Sequence, residues 1–347
     1  FVGLYTVIGG IDAVIWTDVL QTVVLLLGGL LCLWVILDAL PGGLGQIVDQ
    51  AGKAGKFALA PWEDGAPGET SWSLSLSEKT ATMMLLIGLT NWLTEYSSNQ
   101  NTVQRYCASQ STAEARKGLW VYLLTALPIW AFYMFLGTAL WVFFQVYPDV
   151  QAGAILSGEA RAETLMPYFI TNYLPAGVAG LVIAAALAAA MSSLDSSINS
   201  VTTVSVVDLY RRHFNPGQDD RHYLKVAWGI AVAVTGLMIA GALWLNKADT
   251  KTLQDTSTIL VSLLGGGMLG LYLLGFFSNR GDARAAWCGI ACTLVFTGWT
   301  VLTNKGVLPE ALSAPFDLYY TGLIGNLLMF VVGYLAASYW PARASDL

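Results

Sequence analysis

The chain has 347 residues, of which 55% are hydrophobic and only 12% charged, with a formal net charge of −6. A soluble domain carries about 25% charged residues, so this composition excludes an ordinary soluble protein and marks an integral membrane one. Nothing in it is basic enough to hold nucleic acid, and the acidic excess sits in connecting loops.

Apolar runs long enough to cross a bilayer core of about 30 Å are read at 14–38, 81–97, 118–146, 175–209, 224–245, 256–277, 285–303 and 319–339. Strand-sized alternation is absent, and a helix satisfies its own backbone where lipid offers no partner. The expected fold class is therefore all-α, with about eight transmembrane helices. The first residues, "FVGLYTVI", read as the tail of a helix whose beginning lies upstream, so an N-terminally truncated fragment is expected.

If loops alternate sides, Arg105, Arg116, Lys117, Arg211, Arg212, Arg221, Lys225, Arg280, Arg284 and Arg343 share one side, and Arg161 is the arginine left on the other. By the positive-inside rule the arginine-rich side is cytoplasmic. Both chain ends are then cytoplasmic, and the loop 39–79, with its "APWEDGAPGETSW", is extracellular. Cys288 and Cys292 lie one helical turn apart without a companion His or carboxylate, which favours two small core residues over a metal pair. His213 and His222 fall in a charged inner loop, so neither supplies an intramembrane base for a serine hydrolase. The chain is not expected to be an enzyme.

Chemistry appears inside the membrane at 188–197, "AAAMSSLDSS". An Asp at the centre of a span costs about 2.5–3.5 kcal/mol on insertion scales and requires a partner, a proton or a water-lined cavity. On a helix Ala189, Ser192, Asp195 and Ser196 share a stripe, with Ser193 at its border. These groups offer only oxygen, which suits a hard cation and excludes transition metals; neutral hydroxyls and few carboxylates favour Na⁺ over a divalent ion. The small residues are equally explained as a close-packing helix face, but that reading leaves Asp195 without a purpose.

Asp18, in "GGIDAVIWTDVLQTVV", is a second carboxylate near the start of the first complete span; a first-turn acid favoured by the helix dipole is the alternative reading. Asp12 is expected in a turn after Gly9-Gly10. In "TNWLTEYSSNQNTVQRY", 90–106, an apolar helix dissolves into amides, hydroxyls and Glu95. Side chains that compete for backbone hydrogen bonds make it a candidate discontinuous helix, against an ordinary helix emerging into water near residue 97.

Three motifs together resemble the sodium:solute symporter family, which includes sodium/glucose, sodium/proline, sodium/sialic acid and sodium/iodide cotransporters. They are "YTVIGGIDAVIWTDVLQ" at 5–21, "SSNQNTVQRYCASQSTAEARKG" at 97–118 and "AAAMSSLDSSINSVTTVSVVDLYRR" at 188–212, in matching order and separation. The resemblance implies a partial inverted-repeat transporter core, five helices repeated in opposite orientation. It places the end of core helix four and core helix five at 1–38, core helices six to ten at 80–277, and two additional helices at 278–347, all in one transmembrane domain.

The resemblance also implies a main sodium site from the Ala189 carbonyl and the Ser192 and Ser193 hydroxyls. A second sodium site, present in some members, would use Asp18, Ser192, Asp195 and Ser196. Asp195 stands where members often have a hydroxyl, so Asp18 and Asp195 are expected either to hold a second sodium or to share a proton. The positions facing the solute would be Glu95, Tyr96, Asn99, Gln100 and Thr258. The sugar-transporting branch has an aromatic pair where this chain has Glu95-Tyr96, and a lysine where it has "LLTALP". It also tends to have Gly-Pro where this chain has the glycines of "SLLGGGMLGLYLLGF" at 262–276.

The implied activity is sodium-coupled symport of a small organic solute by alternating access, the solute an organic anion such as a sialic acid or monocarboxylate. A sodium/sugar or sodium/amino-acid symporter is the alternative, and a transporter-like sensor domain the second alternative. The implied partners are the solute, Na⁺ as coupling ion and the lipid bilayer, with no other cofactor, in a multi-pass cell-membrane protein.

Overall fold

The computed structural model describes residues 2–58, 62–63, 66–78, 80–246, 260–261, 265–278, 282–304 and 306–339. Among these, six helices are long and apolar enough to cross a membrane: Gly9–Ala39, Thr112–Val146, Ala176–Phe214, Asp220–Leu243, Ala283–Asn304 and Leu318–Tyr339. The expected span at 81–97 is the helix Ala81–Ser98, and the one at 256–277 is described from its C-terminal part, Met268–Phe277. Thr258 lies outside the described residues. The one strand pairing described is a two-residue ladder, Trp62–Glu63 against Ala66–Pro67.

The described residues form two compact units, Phe1–Lys56 with Gln104–Thr250, and Phe57–Val103 with Lys251–Leu347. The first contains α1 (Val2–Ala39), α2 (Gly43–Lys53), α5 (Thr112–Val146), α6 (Val150–Leu156), α7 (Leu165–Tyr173), α8 (Ala176–Val204) and α9 (Asp220–Asn246). Helix α8 runs on as a π-helix, Ser205–Phe214. In α1 the backbone leaves helical geometry at Gly10, with φ 59° and ψ −155°, a region essentially restricted to glycine. The Gly9-Gly10 break therefore separates a preceding helical tail from the span. Asp12 lies in the first turn after the break and not in a turn of its own, and Asp18 lies about two turns in. The first-turn acid is thus Asp12, and dipole compensation does not account for Asp18.

Along α1 the exposed side chains Trp16, Leu20, Val23, Leu27, Leu30 and Trp34 follow a 3–4 spacing, while Val14, Gln21, Cys32 and Ile36 are buried. An apolar exposed stripe on a spanning helix is what a lipid-facing surface requires. The buried side of α1 packs along α8. Thr17 meets Asp195 and Gly28 meets Ala185 and Val182, so the two helices run antiparallel.

Helices α2, α6 and α7 fall inside stretches read from the sequence as loops. They are short, and α2 buries only Ile47 and Ala51, too narrow an apolar face to register as a span. At the same end of this unit, Phe143 meets Phe144, Phe169 and Tyr173 edge to face, and Phe144 meets Tyr173 likewise. Asp149 caps α6, accepting from the Gln151 and Ala152 backbone N–H groups at 2.9 and 3.0 Å. Its carboxyl is held below the usual value first by the Ala152 N–H, with the Tyr168 and Tyr173 hydroxyls and the Gln151 N–H adding to it.

The second unit contains α3 (Ala81–Ser98), α10 (Met268–Phe277), α11 (Ala283–Asn304) and α12 (Thr321–Tyr339). Met83, Ile87 and Tyr320 form its small described core. Asn326 of α12 accepts from the backbone N–H groups of Gly267 and Gly270 at 3.1 and 3.0 Å, and donates to the Gly322 carbonyl at 2.8 Å. It thereby satisfies amides at the start of α10 that have no partner within the helix. Gly267, at φ 101°, supplies the left-handed residue that this approach requires. Helix α4, Gln100–Cys107, runs from one unit's residues into the other's.

Candidate functional site

Each unit brings together part of what the sequence predicts. In the first unit, α8 stays helical through 188–197, so the Ala189 carbonyl is not freed by unwinding; it accepts a hydrogen bond from the Ser192 hydroxyl at 2.9 Å. Ser193 is exposed, at the border of the stripe, and its carbonyl accepts from Ser197 Oγ at 2.7 Å. Asp195 is 0% exposed and Ser196 is 2% exposed. The Thr17 hydroxyl lies 3.4 Å from Asp195 Oδ2. It also lies 2.8 Å from the Ala13 carbonyl and 3.0 Å from the Val14 carbonyl, three acceptors for the one proton that it has to donate.

Asp18 and Ser196 are joined by a residue that the sequence reading assigned only to the cytoplasmic charge count. Arg105 Nη2 donates to Asp18 Oδ2 at 2.5 Å and to Ser196 Oγ at 2.9 Å. The side chains of Arg105 and Asp18 are 42% and 20% exposed. Beside Arg105, Gln104 accepts from Asn199 Nδ2 at 3.1 Å and lies 3.5 Å from Thr203 Oγ1. Ser192, Asp195, Ser196, Asn199 and Thr203 follow the 3–4 spacing of one helix face, so the polar stripe continues past the predicted site toward the end of α8 that carries Arg211 and Arg212.

Gln21 is the second residue missed. It is 7% exposed, and its Oε1 has no hydrogen-bond partner among the described residues, nor has Asp18 Oδ1. It stands one turn beyond Thr17 on α1, as Met191 and Ser192 stand one turn back from Asp195 on the antiparallel α8. An amide in an apolar helix, three residues after an acid, was the available signal.

In the second unit, α3 ends at Ser98 and α4 begins at Gln100. Asn99 between them is extended, with φ −75° and ψ 120°. The stretch 90–106 is therefore an interrupted helix and not a single one emerging into water. The interruption is held by its own side chains. Glu95 Oε2 accepts from Asn99 Nδ2 at 2.6 Å, Glu95 Oε1 accepts from Thr102 Oγ1 at 2.9 Å, and Asn99 Oδ1 accepts from the Asn101 N–H at 3.0 Å. Tyr96 packs against Trp92 with ring centroids 5.5 Å apart. Of the predicted solute-facing residues, Glu95, Tyr96, Asn99 and Gln100 thus lie together at a helix break.

The sequence profile described as "Sodium:solute symporter family" matches residues 1–292. The chain belongs to this family. Among its relatives, a sodium/sialic acid symporter of Proteus mirabilis is 30% identical over 99% of this chain and 65% of its own length. A second sodium/sialic acid symporter, of Aliivibrio fischeri, is 28% identical over 96% of this chain and 61% of its own. A sodium/glucose cotransporter of Vibrio parahaemolyticus is 28% identical over 85% and 54%.

A solved structure of a Na⁺-coupled sialic acid symporter, in a substrate-bound outward-open state and described with a novel Na⁺ site, superposes with a TM-score of 0.80. It is 27% identical and covers 100% of this chain and 66% of its own. This family member thus has part of a symporter's inverted-repeat fold, and it spans 65% and 61% of the length of the two sodium/sialic acid symporters and 66% of the solved structure. The relatives named are transporters, and the six long apolar helices make this a multi-pass membrane protein.

Proposed function

We propose that the protein is a sodium-coupled symporter of a small organic anion, and that the face of α8 turned to α1 is its ion-handling surface. One observation carries the reading. Asp18 and the fully buried Asp195 lie in one spanning pair of helices, and the Arg105 guanidinium reaches from Asp18 of α1 to Ser196 of α8. Carboxylates in a low-dielectric setting draw cations, and the Asp18 and Ser196 oxygens already hold one, the Arg105 guanidinium. A monovalent cation is the charge that such oxygens suit. The neighbouring groups, Ser192, Ser196 and Gln21, are oxygen donors that suit Na⁺.

In this reading Ala189, Ser192 and Ser193 hold the main sodium, and Asp18, Ser192, Asp195 and Ser196 a second one. Each Na⁺ moving inward contributes about 2.3 kcal/mol per 100 mV of membrane potential. Its occupancy favours the solute-binding conformation, which is differential stabilisation of one state over another. Both ends of the described chain face the cytoplasm, as the arginine distribution favours.

The solute is assigned to Tyr96 and Gln100 at the helix break, with Glu95 and Asn99 holding the break open. Glu95 accepts from two local donors, one on each carboxylate oxygen, so both oxygens are engaged within the break. Likeness to two sodium/sialic acid symporters supports a carboxylate-bearing solute, as do sodium-coupled monocarboxylate transporters at 26–27% identity. A neutral sugar is the second reading, supported by the sodium/glucose relative.

The test is uptake by the full-length protein in proteoliposomes, with sialic acid, lactate and glucose offered in Na⁺ and in choline buffer. Sodium-dependent accumulation of an organic acid supports the proposal. Uptake that is equal in choline, and unaltered by joint Ser192→Ala and Ser193→Ala substitution, overturns it.

A further inference from the structure

The contact of Arg105 with Asp18 and Ser196 has a consequence for how sodium enters. Ca²⁺, a hard cation close to Na⁺ in radius, sits about 2.3–2.6 Å from its oxygen ligands. Arg105 Nη2 is itself 2.5 Å from Asp18 Oδ2 and 2.9 Å from Ser196 Oγ, so a sodium ion bridging the same two oxygens would overlap that nitrogen. Two positive charges at such a separation also repel. We infer that Arg105 is a tethered cation that competes with Na⁺ for the second site, so that sodium entry expels the guanidinium and guanidinium return expels sodium. The inference rests on the symport reading above and adds to it the residue that sets sodium affinity at that site.

The surroundings supply both ends of the exchange. With Arg105 seated, Asp18 Oδ1 remains buried without a hydrogen-bond partner among the described residues, as does Gln21 Oε1 one turn away, so acceptors remain on α1 that this guanidinium does not satisfy. The Arg105 side chain is 42% exposed, so the guanidinium is not enclosed on all sides and has room to swing away from Asp18. Gln104, the preceding residue, is tied to Asn199 of α8. When Arg105 departs, the end of α4 keeps its hold on α8 through Gln104 and loses its hold on α1 through Asp18. Sodium binding would thus release one of two ties, the kind of discrete rearrangement that converts occupancy into a change of state.

The experiment measures half-saturating Na⁺ for uptake, and for equilibrium ²²Na⁺ binding, in full-length wild type, Arg105→Gln, Arg105→Lys and Asp18→Asn. Removing the competitor should lower half-saturating Na⁺ about three- to tenfold in Arg105→Gln, as expected for loss of a partly exposed ion pair. Arg105→Lys, which keeps a charge without the planar fork, should fall between. Asp18→Asn should raise half-saturation in both assays. Misfolding lowers apparent affinity, so a gain in Arg105→Gln separates competition from a merely structural role.

If Arg105→Gln does not accumulate, Arg105→Lys decides alone by the same direction of change. Unchanged or weakened sodium affinity in the arginine variants, with wild-type uptake still sodium-dependent, overturns the inference and leaves the symport reading intact. Wild-type uptake indifferent to sodium overturns the symport reading and this inference with it.

Discussion

The seam between α1 and α8 is tight where Gly28 meets Ala185. A Cβ built on Gly28 would stand 2.5 Å from the Ala185 Cβ and 3.7 Å from the Val182 Cα. Carbon atoms rest at about 3.5–4.0 Å, so Gly28→Ala requires the helices to part there by about 1 Å. Overpacking of this kind costs about 1–3 kcal/mol. Ten residues along α1, at 1.5 Å per residue, place Asp18 about 15 Å away, on the same pair of helices. Any splaying of the seam therefore stretches the bridge from Asp18 through Arg105 to Ser196.

Gly28→Ala is expected to lower unfolding free energy by about 1–3 kcal/mol in a denaturant titration in mixed micelles, and to raise half-saturating sodium. Ala185→Gly removes the clashing methyl and leaves the ordinary 3.7 Å contact with Val182. The double variant should recover most of the loss, with a coupling of about 1–2 kcal/mol in the double-mutant cycle. Unchanged stability of Gly28→Ala, or losses that simply add in the double variant, would show that this close approach does not hold the seam.

Asp195→Ser removes one of the two carboxylates assigned to the second sodium and keeps the contact between Asp18 and Arg105. The Hill coefficient for sodium in proteoliposome uptake should fall relative to wild type, and sodium curves identical to wild type at both pH 6 and pH 8 would remove the second-site reading. Asn326→Ala strips the acceptor from the Gly267 and Gly270 amides. Each buried amide left unpaired costs about 1–3 kcal/mol, and a change in unfolding free energy under about 0.5 kcal/mol would show that water or a shifted backbone replaces the clamp. The depressed pKa of Asp149 stabilises the fold fully above the unfolded-state value near about 4, and that contribution is lost as pH falls through the lower folded value. Asp149→Asn keeps a capping acceptor and should flatten the acid limb of a melting-temperature profile, whereas an acid limb as steep as in wild type would place the sensitivity elsewhere.

Much of the site was legible in the chain because a carboxylate in an apolar run is costly enough to demand an explanation. That reasoning singled out Asp195 and its hydroxyl neighbours, and the amide-rich stretch after Glu95 pointed to the helix break found at Asn99. Gly9-Gly10 marked the end of the helical tail. Arg105 was legible only as one more cytoplasmic charge, since nothing in its local sequence tells which carboxylate it meets across a separation of 87 residues. Gln21 was visible as a polar residue in a span, yet its relation to Ser192 depends on the antiparallel register of α1 and α8. Helices α2, α6 and α7 were read as loops because their apolar faces are too short to stand out.

The sequence by itself determined that the chain is helical and lives in a membrane, because apolar length and backbone self-satisfaction are local properties. It also determined which helix carries the oxygen donors, because helical spacing alone puts them on one face. Only the tertiary structure decided that a guanidinium stands between Asp18 and Ser196. The charge balance of the site depends on which elements the fold brings within a few ångströms, and no local pattern encodes that.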